Sequence, residues 1–206
     1  MPYRRRIQPP PIEPITLISR GEPFDHPDWV FEPKYDGFRG LLYLTRRTCE
    51  LRSRRAYLFR QFEPLRTALA EQLKGKELVL DGEVVALDPA GRPKFGDLLR
   101  GEGQLAYAAF DLLWLNGEDL RDCPLMVRKR ALDRLIPKNT PWLRRVLQVK
   151  RYGIELFDAA RRLDLEGIVA KRRQDPYRPG TVWFKIKNPE YSQAEGRWEL
   201  FERRRR

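Results

Sequence analysis

Short apolar runs, separated by charged and turn-forming residues, constrain the fold of this chain more than any other feature. Strand-like runs of this kind occur at residues 29–31, 41–44 and 49–51. Residues 60–73 instead carry apolar side chains every three or four positions, which predicts a helix. Because strands and helices follow one another without strict βαβ alternation, we expect an α+β fold of largely antiparallel sheets flanked by helices.

The rest of the chain continues this mixed pattern. A strand pair or a bulged strand is predicted over 78–87, one or two helical turns over 95–99, and an aromatic-rich strand over 105–115 that ends at the turn Asn116-Gly117. Further helices are predicted over 124–135 and 154–163, and further strands over 146–149, 168–170 and 182–186.

Charged residues lie beside or inside the apolar runs at five places. The five clusters are Lys34-Tyr35-Asp36-Gly37-Phe38-Arg39, Ser53-Arg54-Arg55, Asp81-Gly82-Glu83, Glu166-Gly167-Ile168-Val169-Ala170-Lys171 and Trp183-Phe184-Lys185-Ile186-Lys187. An apolar run predicts burial, and a buried charge is costly unless another group pairs with it. We therefore expect the clusters to converge on one polar ligand, and the chemistry that fits is attack by a lysine on a nucleotide phosphate.

Lys34 is the candidate nucleophile. An ordinary lysine has a pKa of about 10.4 and is a poor nucleophile near neutral pH, so desolvation or nearby cations must lower that pKa. Lys171, Lys185 and Lys187 are the candidate cations. Asp36-Gly37 predicts a tight turn whose glycine lets the backbone approach a ligand. A surface turn with a solvated lysine is the alternative.

Two carboxylates are candidate ligands of the same site. Glu83 could accept a hydrogen bond from a ribose hydroxyl or hold a metal, although Asp81-Gly82-Glu83 also fits a plain hairpin turn. Glu166 precedes a strand-like run and could bind Mg²⁺, and its alternative is a solvated carboxylate at the start of a strand.

The last cluster alternates as a strand does. Alternation places Lys185 and Lys187 on one face and Phe184 and Ile186 on the other. Two lysines about 7 Å apart on one strand can straddle a triphosphate, and lysines that protect an edge strand are the alternative. Phe110 is either a core residue or a surface on which a purine stacks.

Composition excludes several classes of protein. With 206 residues, 41% of them hydrophobic, the chain is globular, and no apolar run approaches the about 20 residues that span a bilayer. The N-terminus lacks the apolar segment of a signal peptide, so we expect a cytoplasmic protein with no membrane partner.

His26 is the single histidine and lies in a predicted surface turn, which argues against histidine-based catalysis. Cys49 and Cys123 form no zinc-ligand spacing, and Cys49 is predicted to be a small core residue.

The charge balance favours a polyanionic partner such as nucleic acid. The formal net charge is +12, and seven arginines lie in two terminal runs at residues 4–6 and 203–206. Taking those seven charges from +12 leaves +5 on the remaining chain, which is only mildly basic.

The ordered set of clusters resembles the nucleotidyltransferase motifs of ATP-dependent DNA ligases. Residues 34–39 match the KxDGxR motif, and Ser53-Arg54-Arg55 matches the serine–arginine motif that follows it. The other motifs match at residues 81–83, Phe110-Asp111, 166–171 and 183–187. The resemblance covers roughly residues 10–190, and the flank at residues 29–33 is most similar to the ligase domains of bacterial end-joining DNA ligases. It implies the nucleotidyltransferase (ATP-grasp-like) fold.

The resemblance implies a role for each candidate residue. With ATP as cofactor, Lys34 would form a covalent lysyl-AMP, and Lys185 and Lys187 would neutralise the α-phosphate and the leaving pyrophosphate. Glu32 would contact adenine, and Phe110 would stack on it. Arg39 and Glu83 would hold the ribose and nearby phosphate, and Arg54 would bind a phosphate of the nucleotide or the nick. Lys171 is also expected among the nucleotide-binding residues. Mg²⁺ or Mn²⁺ would be held by Glu166, with Glu83 and Asp36. Positioning and charge stabilisation supply most of the rate in phosphoryl transfer, which suits such a site.

The domain prediction has two parts. We expect an adenylation domain over residues 1–189, with a proline-rich N-terminal arm over 1–27, and a basic tail over 190–206. Ligases of this kind continue into an OB-fold domain, and the residues after Pro189 are too few for that barrel. We therefore expect a monomer that acts weakly on nicked double-stranded DNA when alone, with a separate OB-fold or repair protein as a candidate partner.

Two alternatives remain open. An RNA ligase or a capping-type nucleotidyltransferase belongs to the same superfamily, and nucleotide choice together with trials on nicked DNA and nicked RNA would separate it. A non-catalytic nucleic-acid-binding module would form no lysyl-AMP.

Overall fold

A computed structural model describes residues 9–136 and 140–194 of the chain. One sheet has the strand order β1 (Leu17–Ser19), β11 (Trp183–Lys187), β10 (Gly167–Arg172), β2 (His26–Pro33), β9 (Val149–Arg151). The other has the order β4 (Cys49–Ser53), β3 (Phe38–Leu44), β5 (Leu78–Leu87), β6 (Gln104–Leu115), β7 (Glu118–Asp119), with β8 (Leu143–Arg145) also paired to β6. The helices are α1 (Glu63–Gln72), α2 (Phe95–Arg100), α3 (Leu125–Leu135) and α4 (Gly153–Arg162), and short 3-10 turns cover Arg60–Phe62 and Ser192–Ala194.

Alternating side chains divide the core into layers. On the six-stranded sheet, one face packs against α1 and α2 in a large leucine-rich cluster that includes Leu42, Leu65 and Leu80. On the five-stranded sheet, the face that carries Phe31, Ile168 and Ile186 packs against α4. The remaining faces of the two sheets meet in an aromatic cluster around Tyr43, Trp114, Tyr177 and Trp183. Functional side chains on these two inner faces are therefore brought together.

The α+β prediction is confirmed, and the pairings are antiparallel except β1 with β11 and β6 with β8. The predicted helices over 60–73, 95–99, 124–135 and 154–163 form with small shifts at their ends. Cys49 packs partly buried against the core, and burial raises the pKa of its thiol to about 11. Its predicted structural role fits this environment.

The bulged strand predicted over 78–87 is present as β5, which continues through Asp81-Gly82-Glu83 with irregularities in its register with β6. The alternative, a hairpin turn at these three residues, is excluded because β5 is paired on both sides there. Two other local predictions were wrong. Residues 146–148 are not a strand, since they link β8 in one sheet to β9 in the other. His26 begins β2 opposite Arg151 instead of lying in a turn.

The N-terminal arm is integrated into the domain over its described part. Ile12 and Ile15 are buried, and their N–H groups donate to the hydroxyls of Tyr43 and Tyr177. Both arginine runs lie outside the described residues, as does most of the predicted tail, so the boundary at residue 189 stays a prediction. Within the described part of the chain, no helix is long and apolar enough to cross a membrane.

Candidate active site

A pocket opens between the inner faces of the two sheets. Its walls come from seven strands and the segments next to them, and they contain six of the predicted site residues. The lining residues are Leu17, Glu32, Pro33, Lys34, Tyr35, Arg39, Glu83, Phe110, Val146, Val169, Lys171 and Trp183. Residues from four of the five charged clusters thus converge on one cavity, and the cluster Ser53-Arg54-Arg55 does not line it.

The loop that carries Lys34 is fixed by its backbone. Lys34 follows the end of β2, and its N–H donates to the carbonyl of Gly167 at 2.8 Å. The turn then runs so close to β5 that a Cβ on Gly37 would lie 2.1 Å from the carbonyl oxygen of Val84. Only glycine fits there, which gives the predicted Asp-Gly turn its physical reason.

The ammonium group of Lys34 is paired with a carboxylate. Its Nζ lies 2.5 Å from Oε2 of Glu166, whose Oε1 is 3.8 Å from Nζ of Lys187. From the sequence we expected cations beside the ammonium group of Lys34. The structure instead places the carboxylate of Glu166 there, and Lys187 contacts the other oxygen of that carboxylate. Gly167 has a φ of 138°, and a Cβ there would lie 2.1 Å from the carbonyl of Ile186, so glycine allows β10 to start beside β11 and sets the position of Glu166.

Arg39 is held on the pocket wall by protein groups. Its Nε and Nη2 donate to the two oxygens of buried Asp81 at 3.1 and 2.7 Å, and its Nη1 donates to the carbonyl of Ile15 at 2.6 Å. The Tyr177 hydroxyl also donates to Asp81, at 2.7 Å. The guanidinium carbon lies 5.5 Å from the centre of the Phe110 ring. Contact of Arg39 with a ribose or phosphate stays a prediction.

Glu83 lies opposite Arg39 in the β3–β5 pairing. Burial raises the pKa of its carboxyl to about 8, and the positive charges of Lys34 and Arg39 oppose that rise. A carboxyl group in this range can change its protonation state near neutral pH.

Glu32 is buried between two lysines. Its Oε2 accepts a hydrogen bond from Nζ of Lys171 at 2.6 Å, and its Oε1 forms an ion pair with Lys129 of α3. The Lys171 ammonium also lies 4.3 Å from the ring centre of Phe110 and 4.0 Å from that of Trp183. Burial lowers the pKa of Lys171 to about 8, with a further lowering by Lys129, while Glu32 acts in the opposite direction. The contact of Glu32 with adenine stays a prediction.

Strand β11 is not an edge strand, because it lies between β1 and β10. Lys185 pairs with Val169, and Val169 pairs with Glu32, so Lys185 shares the pocket-facing side of the sheet. Phe184, on the opposite side, stacks on Trp29 with ring centres 5.4 Å apart. The predicted alternation of lysines and apolar residues is present.

The other candidates lie at the margins of the pocket. Asp36 is buried and accepts a hydrogen bond from the hydroxyl of Tyr191 at 3.2 Å. Arg54 is exposed on the loop after β4 and does not line the pocket. Phe110 forms part of the pocket wall and is only partly buried, and its stacking on adenine stays a prediction.

No group of three or more metal-binding side chains occurs in residues 9–136 and 140–194. Mg²⁺ commonly binds through one or two carboxylates, with substrate phosphates and water completing its shell. Glu166 and Glu83 fit that pattern, because Glu166 contacts Lys34 and Glu83 lines the same pocket. The metal roles of Glu166, Glu83 and Asp36 stay predictions.

Sequence reasoning missed several residues of the site, including Lys129, Tyr177 and Tyr191. Lys129 and its neighbour Arg128 had a signal, because they fall between Leu125 and Leu132 at helical spacing. Charged residues on the buried stripe of a helix require partners, and both of these have one. Tyr177 and Tyr191 lie in irregular segments and carried no comparable signal.

Comparison with known proteins agrees with this geometry. The model of the family described as ATP dependent DNA ligase domain matches residues 18–187. The chain therefore belongs to the ATP-dependent DNA ligase domain family, as its motifs predicted.

Individual ligases are similar to this chain, which spans only part of the length of each of them. LigD of Mycobacterium tuberculosis, a multifunctional non-homologous end joining DNA repair protein, is 35% identical over 165 residues, or 78% of this chain and 22% of LigD. DNA ligase C1 of Mycolicibacterium smegmatis is 32% identical over 191 residues, or 83% of this chain and 54% of that protein. The crystal structure of the M. tuberculosis LigD ligase domain matches with a TM-score of 0.75 at 32% identity, over 85% of this chain and 59% of that one. A structure of mycobacterial DNA ligase D complexed with ATP and MES matches with a TM-score of 0.75 at 31% identity, over 86% of this chain and 60% of that one.

Proposed function

We propose that this chain is the nucleotidyl-transferring core of an ATP-dependent DNA ligase, which seals nicks between a 5′-phosphate and a 3′-hydroxyl. The observation that carries the proposal is the position of Lys34 in the wall of a pocket that also includes Phe110, Arg39 and Glu83. The pocket supplies an aromatic surface for a base, polar groups for a sugar and a lysine for the phosphate. The ligase relatives support DNA as the substrate.

The proposed chemistry begins with the neutral amine of Lys34. It attacks the α-phosphorus of ATP, an N–P bond forms, the P–O bond to the β-phosphate breaks, and pyrophosphate leaves. The amine loses a proton in this step, and Glu166 Oε2, 2.5 Å away, is placed to receive it. AMP then passes to the 5′-phosphate of the nick, and attack by the 3′-hydroxyl releases it.

Other groups act by charge and position. Lys185 and Lys187 neutralise the phosphates, and Lys171 with Glu32 faces the polar edge of adenine while Phe110 stacks on its ring. Bound Mg²⁺ would add positive charge beside the transferred phosphoryl group, and Glu166 and Glu83 are the residues that would hold it.

Intact mass after incubation with ATP and Mg²⁺ tests the proposal. The wild-type chain should gain one AMP, and Lys34→Ala should gain none while retaining its circular dichroism spectrum. Lys34→Arg should also fail, because a guanidinium stays protonated and cannot attack. Lys74→Ala, which changes an exposed lysine of the segment after α1, is the matched control and should be adenylated normally.

A full adduct on Lys34→Ala would exclude Lys34 as nucleophile. A GMP adduct, or sealing of nicked RNA in preference to nicked DNA, would instead indicate a capping-type or RNA-ligase activity. The absence of any adduct on the wild-type chain would favour a non-catalytic binding module.

A further inference from the structure

The loop between β4 and α1 presents an unusual combination of side chains to solvent. Tyr57 is 71% exposed and Leu58 is 40% exposed. Arg54, Arg55 and Arg60 are exposed around them. Within the described ranges, none of these three arginines has a salt-bridge partner. An aromatic ring amid unpaired arginines suits a ligand that offers both flat bases and phosphates.

The loop is held rigid although it is exposed. The N–H of Ser53 donates to the carbonyl of Tyr57 at 2.8 Å, and the N–H of Tyr57 donates back to Oγ of Ser53 at 3.1 Å. Ala56 between them has a φ of 63°, a conformation that costs energy for a residue other than glycine. Phe59 anchors the end of the loop against the rings of Phe38 and Phe62. The exposed ring of Tyr57 is therefore presented by an ordered backbone.

The loop lies beside the candidate active site. Ser53 pairs with Gly40, the residue after pocket-lining Arg39, so the loop begins one residue pair from the pocket wall. Neighbouring strands are about 5 Å apart, which places the start of the loop at the margin of the cavity. A duplex whose nick reaches Lys34 would pass this margin.

We propose that residues 53–60 form a docking element for duplex DNA, in which the Tyr57 ring stacks on a base next to the nick and the surrounding arginines contact backbone phosphates. This inference rests on the proposed ligase function and adds a base contact that the ligase motifs do not assign. The ring contributes affinity without adding to the salt dependence, whereas each arginine contributes to both.

The test is binding of the full chain to a nicked DNA duplex carrying 2-aminopurine at successive positions beside the nick. We expect wild type to change the emission at one or two positions. Tyr57→Ala should abolish that change and weaken binding by about tenfold, with an unaltered slope of log affinity against log salt. Arg55→Ala should keep the emission change and lower the slope by about one. Tyr152→Ala is the matched control, since Tyr152 is 48% exposed beside Arg151 at a different surface, and it should behave as wild type.

The outcomes separate this inference from the proposed function, because formation of lysyl-AMP is measured on the same proteins without DNA. If Tyr57→Ala binds the nicked duplex as tightly as Tyr152→Ala and with the same emission, the docking inference is overturned whether or not lysyl-AMP forms. Equal Tyr57-dependent binding to a nicked RNA duplex would overturn the commitment to DNA. Failure of wild type to form lysyl-AMP, with Tyr57-dependent binding intact, would overturn the ligase proposal alone.

Discussion

Lys129 shows how one side chain can set the charge of a pocket. Two lysines share one carboxylate at Glu32, so the buried group carries one positive charge in excess. Lys171 faces the cavity between two aromatic rings, while Lys129 lies behind Glu32 on α3. The excess charge is therefore available to a ligand through Lys171, and Lys129 lowers the pKa of that group.

Lys129→Met should move the pH dependence of nucleotide binding. In the wild-type chain we expect ATP affinity to fall as pH rises through about 8, where Lys171 loses its proton. Removing the nearby charge of Lys129 raises the pKa of Lys171, so the fall should move to higher pH. Calorimetric measurement of the ATP affinity over about 1.5 pH units to either side of the Lys171 pKa of about 8 checks this. Arg130→Met, at the exposed neighbouring position, should leave the midpoint unchanged, and an equal midpoint in both variants would refute the assignment.

Glu83 makes a prediction about stability. Its folded pKa of about 8 lies above the ordinary value of 4.5, so between these values the folded chain binds a proton that the unfolded chain does not. Stability contributed by Glu83 is therefore present below about pH 4.5 and is lost as pH rises to about 8. Glu83→Gln should gain stability relative to wild type over this window, by at most about 1.4 kcal/mol per pH unit. The free energy of unfolding of the two proteins is measured in urea at each pH. A difference between them that stays the same from about pH 4.5 to about pH 8 would contradict the raised pKa of Glu83.

At the scale of elements, α3 is tied to the six-stranded sheet by a buried ion pair. Arg128 donates from Nε and Nη2 to the two oxygens of Asp111 in β6, at 2.8 and 2.9 Å, and neither side chain has solvent exposure. Its Nη1 donates to the carbonyls of Cys123 and Asp175. This network holds α3 where Lys129 can reach Glu32.

Arg128→Met should destabilise the fold by about 3–5 kcal/mol, because it leaves the Asp111 carboxylate buried without its partner. The free energy of unfolding in urea measures the effect. Arg161→Met removes one member of an exposed pair with Glu190 and should cost less than about 1 kcal/mol. Adding Asp111→Leu to Arg128→Met should recover part of the loss. If the Arg128 variant were no less stable than the Arg161 variant, the ion pair would not be what secures α3.

Elements with a clear period were predictable from the sequence, and those shaped by pairing were not. The helix over 60–73 and the alternation of Trp183–Lys187 depend on local spacing alone. Asp81-Gly82-Glu83 has the composition of a turn, yet two neighbouring strands supply hydrogen bonds that keep it extended. Residues 146–148 have the composition of a strand, but the chain must cross there from one sheet to the other. Tertiary pairing overrides weak local preference in both cases.

At the scale of the whole molecule, the segment after β11 connects the turn that follows Lys34 to the start of α2. Asn188 donates to the carbonyl of Leu165, and Tyr191 donates to Asp36. Gln193 accepts from the N–H of Phe95 at the start of α2, while Ser192 donates to Asp164. The segment thus contacts the turn after the nucleophile, the residues before β10 and the start of α2.

Tyr191→Phe should slow formation of lysyl-AMP by up to about tenfold while leaving the KM for ATP unchanged. Loss of this hydrogen bond weakens the hold on the Asp36 turn, which orients Lys34 without lining the nucleotide pocket. Single-turnover rates and KM, measured together, check the prediction. Tyr152→Phe serves as control, and a rise in KM with an unchanged rate would show that Tyr191 acts on the nucleotide instead.

The sequence by itself determined the family, the α+β class, the nucleophile candidate and six of the residues that line the pocket. It could do so because KxDGxR and the other motifs are short local patterns, and their order along the chain can be read without knowing which residues are in contact. Only the tertiary structure decided the partners: Glu166 beside Lys34, Asp81 beside Arg39, and Lys129 beside Glu32. These contacts join residues from distant parts of the chain, and their geometry depends on how two sheets and a helix pack, which no local spacing encodes.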